Sequence, residues 1–214
     1  MSGNSKQIIT IDGPAGAGKS TVAKQLAHKL NVSYLDTGAM YRALTFKAIQ
    51  RNIDLEDEEA IVAMAQQTNI DLESHGLRAK VLLDGKDVSE DIRSVEVTNK
   101  TFYIAQKPRV RAIMVDWQRK LGAQKSIVVE GRDVGTVVFP QANKKFYLDA
   151  NVDERSRRRM EELMEKGNEV DKDQLTAELK ERDNKDLTRR VGPLKKAEDA
   201  VYIDTTDLSV EEVI

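Results

Sequence analysis

Gly13-Pro14-Ala15-Gly16-Ala17-Gly18-Lys19-Ser20-Thr21 is the stretch that decides the fold, because it fits the pattern G-x-x-x-x-G-K-[ST] in the setting that this pattern requires. An apolar, β-branched run at 7–11 precedes it, and apolar residues recur at helical spacing after it. In a strand–loop–helix unit of this kind, backbone N–H groups and the helix N-terminus surround an anion. We therefore predict that this phosphate-binding loop (P-loop) binds a nucleoside triphosphate, with Lys19 at the β- and γ-phosphates and the Ser20 hydroxyl as a ligand of Mg²⁺.

Composition and charge favour a soluble globular protein. The chain has 214 residues, of which 40% are hydrophobic and 33% are charged, and its formal net charge is −2. Such a small charge gives no general attraction to nucleic acid or to anionic membranes. The sequence has no apolar run of about 18 residues that could span a bilayer, and its first residues lack the apolar core of a secretory signal. We therefore expect a cytoplasmic protein without membrane or nucleic-acid partners.

The cysteine and histidine content excludes several kinds of chemistry. The chain has no cysteine, which rules out disulfides and thiolate metal sites. Its histidines are His28 and His75, and so small a number argues against a histidine metal site or a Ser-His triad.

Short apolar runs alternate with helical patterns along most of the chain. Besides the run at 7–11, strands are predicted at 32–35, 127–129, 146–148 and 201–203. This alternation predicts an α/β fold, a P-loop core with a five-stranded parallel sheet that helices cover on both faces. Ligands bind at the carboxyl ends of such strands, where the P-loop, Asp36-Thr37-Gly38 and Glu130-Gly131-Arg132-Asp133 follow directly. We expect these segments to meet in one crevice.

Between residues 69 and 88 the hydrophobic period changes from helical to alternating. Apolar side chains alternate with polar ones from Leu77 onward, and Asp84-Gly85-Lys86 supplies a turn. This pattern predicts a small antiparallel sheet inserted into the βα chain. Helical patterns surround it at 39–51, 58–67 and 95–121, the last of them broken by Pro108.

The segment from 153 to 190 is highly charged and helical, with Asp153 and Asp173 as predicted N-caps. It contains seven of the fifteen arginines. Arg182, Asp186 and Arg189 recur at a spacing that places them on one helix face, and we predict a function for the two arginines. Four others are interpreted as solvated surface charges, namely Arg155, Arg157, Arg158 and Arg190. Further on, Ser209 and Glu212 predict a capping box for a last helix.

These features favour a small kinase over other triphosphate-binding proteins. A GTPase would carry an Asn-Lys-x-Asp guanine reader and an Asp-x-x-Gly segment, and neither occurs. A mechanical ATPase usually needs extra domains, for which the chain has little room. Phosphoryl transfer depends mainly on positioning and charge neutralisation, which arginines can supply. A mobile, arginine-bearing lid would also keep water from hydrolysing the triphosphate.

Several segments resemble those of bacterial cytidylate kinases, along essentially the whole chain. They are residues 11–21, 35–42, 108–111, 130–140, 193–194 and 197–206, together with Arg182-Asp183, Asp186 and Arg189. The resemblance implies a P-loop nucleoside monophosphate kinase that transfers the γ-phosphate of ATP to CMP or dCMP in pyrimidine nucleotide metabolism. We expect Mg²⁺ to accompany ATP, and we expect the protein to be a monomer. It also implies a P-loop core (1–39, 109–151 and 193–214), a CMP-binding insertion (40–108) and a helical lid (152–192).

The resemblance further implies the roles of single residues. ATP would be bound by the nine P-loop residues quoted above, and the catalytic residues would be Lys19, Arg132, Arg182 and Arg189. The acceptor would be bound by Thr37, Arg42, Arg111, Arg132, Asp133, Arg182 and Asp186. In this arrangement Arg42 and Arg132 hold the acceptor phosphate, which suits planar guanidinium groups. Asp133 can accept from N4 of cytosine, and Arg111 can donate to N3 and O2. Arg182 and Asp186 approach the sugar or the transferring phosphate, and Arg189 approaches the donor phosphates.

The chain departs from the family pattern in two places. Phe102 stands where family members commonly carry a serine that contacts the base, and a phenylalanine cannot hydrogen-bond in that way. We expect Thr101 or a shifted helix to compensate, or the selectivity among nucleotides to be looser. The family usually continues somewhat beyond the position of Ile214, so a shortened last helix is expected.

Other interpretations stay open at the level of the sequence. Asp133 could bind magnesium or cap a helix, and Arg111 could be a surface charge. Asp36 could be a cap at the end of its strand, and we leave it out of the catalytic set. The whole chain could act on another acceptor, such as UMP, AMP or a small metabolite, or could bind a nucleotide without turnover.

Overall fold

The computed structural model describes residues 6–75, 78–165, 167 and 169–214. Its strands are β1 (Ile8–Asp12), β2 (Ser33–Asp36), β3 (Ile70–His75), β4 (Arg78–Leu83), β5 (Lys86–Asp87), β6 (Ile127–Gly131), β7 (Lys144–Asp149) and β8 (Val201–Asp204). Its α-helices are α1 (Lys19–Lys29), α2 (Thr37–Gln50), α3 (Glu58–Gln66), α4 (Val95–Ala105), α5 (Pro108–Gly122), α6 (Val152–Glu165), α7 (Lys172–Thr188) and α8 (Val210–Val213). A 3₁₀ turn (Asp91–Arg93) precedes α4, and a π-helical turn (Val134–Val138) follows β6. None of the helices in these described ranges has the length and apolar character needed to cross a bilayer.

The described residues form a five-stranded sheet in the order β2-β6-β1-β7-β8, in which every neighbouring pair is parallel. The α/β prediction is therefore confirmed, and each predicted strand is present with ends shifted by at most two residues. The residues of β6 are all buried, because it lies inside the sheet and is covered on both faces. This burial explains why its sequence is a continuous apolar run rather than an alternating one.

Alternate residues of β6 face opposite sides of the sheet and join different apolar clusters. Val128 packs with Ala23 of α1 and with Leu148, whereas Ile127 and Val129 pack with side chains of α2, α3 and α5. Burying one such valine stabilises the fold by about 1.5–3 kcal/mol relative to leaving it exposed. The clusters hold the helices against both faces, so the loops at the carboxyl ends of the strands start from rigid supports.

The strands β3, β4 and β5 form the predicted antiparallel sheet. Asp84 and Gly85 connect β4 to β5 with φ angles of 50° and 83°, which is the left-handed geometry of a two-residue hairpin turn. The side chains of Ile70 and Val81 pack in the same apolar cluster as Ile127 and Val129, which holds this sheet against the rest of the fold. Leu77, which belongs to the predicted pattern, lies outside the described residues.

The N-caps of α6 and α7 differ from the prediction. The Asn151 side chain accepts a hydrogen bond from the third residue of α6 at 2.8 Å, and the Asp171 side chain does the same for α7 at 2.9 Å. Asp153 and Asp173 lie in the first turns instead, so both predicted N-caps are wrong. Carboxylates are also favourable in a first turn, which makes acidic residues near a helix start ambiguous markers of the cap itself. The predicted capping box at α8 is present.

Candidate active site

The P-loop leaves the end of β1 and enters α1 at Lys19. Gly13 has a φ of 150°, and a Cβ at this position would overlap the carbonyl of Leu148 on β7. Gly18 is the N-cap of α1 and has a φ of 82°. Because only glycine adopts these conformations at low cost, the two glycines allow the loop to fold tightly against β7 and to open toward the N-terminus of α1.

Arg132, one of the predicted catalytic residues, lies close enough to two others, Lys19 and Arg182, for its charge to lower the pKa of both. Burial, and next the charge of Arg132, lowers the pKa of Lys19 to about 7. The same two causes lower the pKa of Arg182 to about 10. We call Lys19, Arg132 and Arg182 the cationic cluster. Because neighbouring positive charges destabilise one another, a bound anion would stabilise them, and the cationic cluster therefore suits phosphate groups.

Arg42 and Thr37 lie at the start of α2, at the same edge of the sheet. The Arg42 guanidinium pairs with Asp36 at 2.9 Å, and its Nε is buried without a hydrogen-bond partner among the described residues. Thr37 Oγ1 donates to the carbonyl of Glu130 at 2.7 Å, which ties α2 to the segment after β6. Asp36, at the end of β2, accepts from the N–H of Ala39 at 2.8 Å and is the N-cap of α2.

Arg111 and Asp133, the residues predicted to face a cytosine, form a buried ion pair with each other. Arg111 is 3% exposed, so the alternative of a surface charge is wrong. Asp133 stands at the N-cap position of the turn that follows, but its carboxylate makes no capping hydrogen bond among the described residues, so capping by this side chain is wrong too. Burial raises the pKa of the Asp133 carboxyl, and Arg111 opposes that rise. The pair places a carboxylate acceptor beside guanidinium donors within the crevice.

Two further charged residues lie close to this pair. Asp186 is in the last turn of α7, and Arg189 directly follows the helix. Arg189 Nη2 lies 3.4 Å from Asp133 Oδ1, and Asp186 Oδ2 accepts from Arg132 Nε at 2.8 Å. Arg189 and Asp186 approach each other to 3.9 Å. A continuous series of ion pairs thus links Asp133 with Arg189, Asp186 and Arg132. Arg189 pairs with anions on the acceptor side, and its contact with the donor phosphates stays a prediction.

The interpretation of Arg155 as a solvated surface charge is wrong, since its side chain is 8% exposed. Its guanidinium donates to a P-loop carbonyl at 3.0 Å and to Asp183 at 2.6 Å. Arg158 is also partly buried and donates to the segment after β8 at 2.5 Å. Arg157 and Arg190 are exposed as predicted. One signal was available in the sequence: α6 starts directly after β7, at the sheet edge where the P-loop lies.

Asp12, at the end of β1, is a buried carboxylate that no sequence pattern singled out. It accepts hydrogen bonds from the N–H groups of Val134 and Gly135 at 2.8 and 2.7 Å. Burial raises the pKa of Asp12 to about 6, although these N–H groups favour its charged form. Asp12 therefore joins the P-loop to the segment that carries Asp133.

Ser20, the predicted metal ligand, lies in the first turn of α1 beside the buried carboxylate of Glu130. Glu130 accepts a hydrogen bond from the Tyr34 hydroxyl. Burial raises the pKa of Glu130, and its contacts with Tyr34 and Ser20 oppose the rise. Within the described ranges, no three His, Cys, Asp or Glu side chains form a cluster that could hold a metal. Mg²⁺ usually takes only one or two protein ligands besides phosphate oxygens and water, so a serine hydroxyl next to a carboxylate fits it.

Phe102 lies on α4 and faces α7. Lys185 Nζ of α7 lies 5.7 Å from the centroid of its ring, which also packs edge-to-face on Tyr103 at 6.2 Å. The Thr101 hydroxyl donates to the carbonyl of Val97 in its own helix at 2.6 Å, so its proton is already engaged. The expected compensation for Phe102 by Thr101 or by a shifted helix stays a prediction.

Comparisons with known proteins show the family of this chain. The family model described as cytidylate kinase matches residues 9–214. The chain is 52% identical over 206 residues to the cytidylate kinase of Caldanaerobacter subterraneus subsp. tengcongensis, covering 96% of this chain and 90% of that protein. It is 51% identical over 208 residues to the cytidylate kinase of Bacillus pumilus, covering 97% and 92% of the two chains. A crystal structure of an uncharacterized protein from Eubacterium ventriosum is similar in fold, with a TM-score of 0.51, 15% identity and coverage of 97% and 93%.

Proposed function

This chain belongs to the cytidylate kinase family, and from that premise we propose which of its residues transfer the γ-phosphoryl group of ATP to CMP or dCMP. It is an ATP-dependent nucleoside monophosphate kinase, and its substrates are nucleotides. The assignment of residues rests on one observation. The buried Arg111–Asp133 pair lies at the same sheet edge as the cationic cluster of Lys19, Arg132 and Arg182.

The Arg111–Asp133 pair reads the acceptor base. Asp133 accepts from N4 of cytosine, and Arg111 donates to N3 and O2. Uracil carries a carbonyl in place of the amino group, so Asp133 would face another acceptor, and an unsatisfied buried polar group costs about 1–3 kcal/mol. The contact between Asp133 and Arg189 is long, at 3.4 Å. When the acceptor base binds, it replaces Arg189 as a partner of Asp133.

The acceptor phosphate is held by Arg42 and Arg132, with Thr37 lining the same site. Arg42 offers its buried Nε, which has no hydrogen-bond partner in the part of the chain that the structure describes. Arg132 exchanges Asp186 for the phosphate. Asp186 and Arg182 are then free to approach the sugar and the transferring phosphoryl group. The second pKa of a phosphate monoester is about 6, so the acceptor is already an oxyanion near neutral pH and requires no general base.

The donor triphosphate is bound by the P-loop residues 13–21. In this structure Lys19 Nζ donates to the carbonyl of Pro14 at 2.6 Å. When ATP binds, Lys19 contacts the β- and γ-phosphates instead. Ser20, with Glu130 beside it, would hold Mg²⁺, and the ion would supply neutralisation of charge on the β- and γ-phosphates. Lys19, Arg132 and Arg182 neutralise the charge that spreads over the transferring group, which is the main catalytic requirement of phosphoryl transfer.

We further propose the division of the chain into the P-loop core, the insertion at 40–108 and the lid at 152–192. Closure of the lid over both substrates brings Arg182 and Arg189 to the reacting groups and excludes water that would hydrolyse ATP. The enzyme is proposed to act as a monomer in the cytoplasm, without membrane or nucleic-acid partners.

A coupled assay of ADP release with CMP, dCMP, UMP and AMP tests this function. We expect the kcat/KM for CMP or dCMP to exceed that for UMP by about 5- to 150-fold, the ratio that 1–3 kcal/mol produces. A preference for AMP would assign the chain a different acceptor. No ADP release with any monophosphate would indicate a protein that binds nucleotides without turnover.

A further inference from the structure

The hydrogen bonds that the P-loop carbonyl groups accept indicate a role for α6, the first helix of the proposed lid. A loop that directs its N–H groups at an anion turns carbonyl groups away from it, and buried carbonyls need hydrogen-bond donors. The carbonyls of Pro14, Ala15 and Ala17 accept hydrogen bonds from side chains at 2.6, 3.0 and 3.4 Å. The donors are, in the same order, Lys19, Arg155 and Thr205. Arg155 therefore brings α6 into contact with the backbone of the donor site.

Arg155 makes two further contacts that connect this backbone to the lid. Its Nε donates to the carbonyl of Ala150, between β7 and α6, at 2.9 Å. Its Nη1 donates to Asp183 on α7 at 2.6 Å. The aliphatic part also packs on the loop, since a Cβ placed on Gly16 would lie 3.0 Å from the Arg155 Cβ. One buried guanidinium thus touches the P-loop, the start of α6 and α7.

The carboxylate of Asp183 depends on its ion pair with Arg155 for stabilisation of its charge. Its carboxylate is 14% exposed, and its other oxygen is buried without a hydrogen-bond partner among the described residues. The arrangement is therefore more than a surface ion pair, because both charges are withdrawn from water. Arg155 is therefore both a donor to a P-loop carbonyl and the partner of a carboxylate on α7.

We propose that Arg155 is a positioning residue for the phosphoryl donor: it holds the Ala15 carbonyl outward, so that the P-loop keeps its phosphate-binding shape, and it links that shape to α7 through Asp183. This inference rests on the proposed function. Arg155 acts through the loop backbone and not by contact with the reacting atoms. A guanidinium presents several N–H donors in a rigid fork, so a lysine can replace one of its contacts but not all of them.

Calorimetric titration with ATP and Mg²⁺, and separately with CMP, tests the proposal on the full chain. We expect Arg155→Ala to weaken ATP binding and to raise the KM for ATP by about 10- to 100-fold, the loss of a charge-assisted contact, while CMP affinity and the KM for CMP change less than about twofold. Arg155→Lys should fall between this variant and the unaltered protein. The matched control is Arg157→Ala, since Arg157 lies on the same helix, is 52% exposed and pairs with Glu154 and Glu161. It should leave both affinities unchanged.

A double variant separates positioning from stability. Arg155→Ala leaves the Asp183 carboxylate unpaired and is expected to lower the melting temperature, whereas Arg155→Ala with Asp183→Asn removes that charge and should recover most of the loss. If the double variant still binds ATP weakly, the positioning role stands. Recovery of ATP affinity together with stability would overturn it, and so would equal losses for ATP and CMP in Arg155→Ala or Arg155→Lys. Failure of the unaltered chain to phosphorylate CMP would refute the proposed function, while the ATP titrations would still decide this inference.

Discussion

Replacing Asp133 with alanine probes base reading and the energetics of the crevice in one experiment. The substitution removes the acceptor proposed for N4 of cytosine and leaves that amino group without a partner. An unsatisfied buried polar group costs about 1–3 kcal/mol, so we expect the KM for CMP to rise by about 5- to 150-fold. The P-loop stays intact, and the KM for ATP should change by less than about threefold. Discrimination between CMP and UMP should fall, because the group that rejects uracil is gone.

The same substitution has a calculable effect on stability. Arg111 and Arg189 lose their shared carboxylate, and their side chains are only 3% and 5% exposed. Removing one partner of a buried ion pair costs about 3–5 kcal/mol. Both guanidinium groups keep other acceptors, the carbonyls of Ala105 and Gly192, so we expect a loss near the lower end of this range. A loss of about 3 kcal/mol corresponds to a fall of about 6–12 °C in the melting temperature for a chain of this size.

The assays are steady-state ADP release with CMP, UMP and ATP varied in turn, and urea unfolding of the same preparations. Asp116→Ala is the control, because Asp116 is an exposed carboxylate on α5 that pairs with Lys120 at 2.7 Å. It should change the free energy of unfolding by no more than about 0.5 kcal/mol. Equal increases in the KM for CMP and for ATP would refute the base-reading role and favour a metal ligand. An unchanged free energy of unfolding would show that the buried pair does not form.

Further expectations concern the donor site, the metal and pH. Lys19→Ala should lower kcat by at least about 100-fold and weaken ATP binding in calorimetry with little effect on CMP binding; an unaltered kcat would refute the donor-site assignment. Chelation of Mg²⁺ with EDTA should abolish ADP release while CMP binding persists, and turnover at full rate after chelation would contradict the metal's role. Burial raises the pKa of Asp12 from its ordinary value of 3.8 to about 6. Between these two pH values the Asp12 carboxyl therefore keeps its proton in the folded state but loses it in the unfolded chain. This pKa difference adds at most about 3 kcal/mol to the free energy of unfolding, an addition that is present below about pH 4 and is lost as the pH rises to about 6. Urea unfolding across this window should show a slope that Asp12→Asn flattens, and parallel profiles for the two proteins would argue against it.

The amino-acid sequence by itself determined the features that depend on local pattern. The P-loop needs glycines at fixed positions between a strand and a helix, so Gly13 and Gly18 mark it without knowledge of distant contacts. The central strands are apolar throughout because both of their faces are covered, and the hairpin at Asp84-Gly85 is specified by the left-handed conformations of its two residues. The positions of the strand ends along the chain also placed the P-loop, Thr37 and Asp133 at one edge of the sheet.

Only the tertiary structure decided which charged side chains leave the solvent. Arg155 and Arg157 stand two positions apart in the same charged helix, yet one is buried against the P-loop and the other is exposed. Their neighbours in sequence are alike, and the difference arises from Asp183 and Ala15, which are distant along the chain. The pairing of Asp133 with both Arg111 and Arg189 likewise depends on how α5 and the end of α7 approach Asp133. The free energy of a buried charge is set by the partners that surround it in space, and helix periodicity carries no information about those partners.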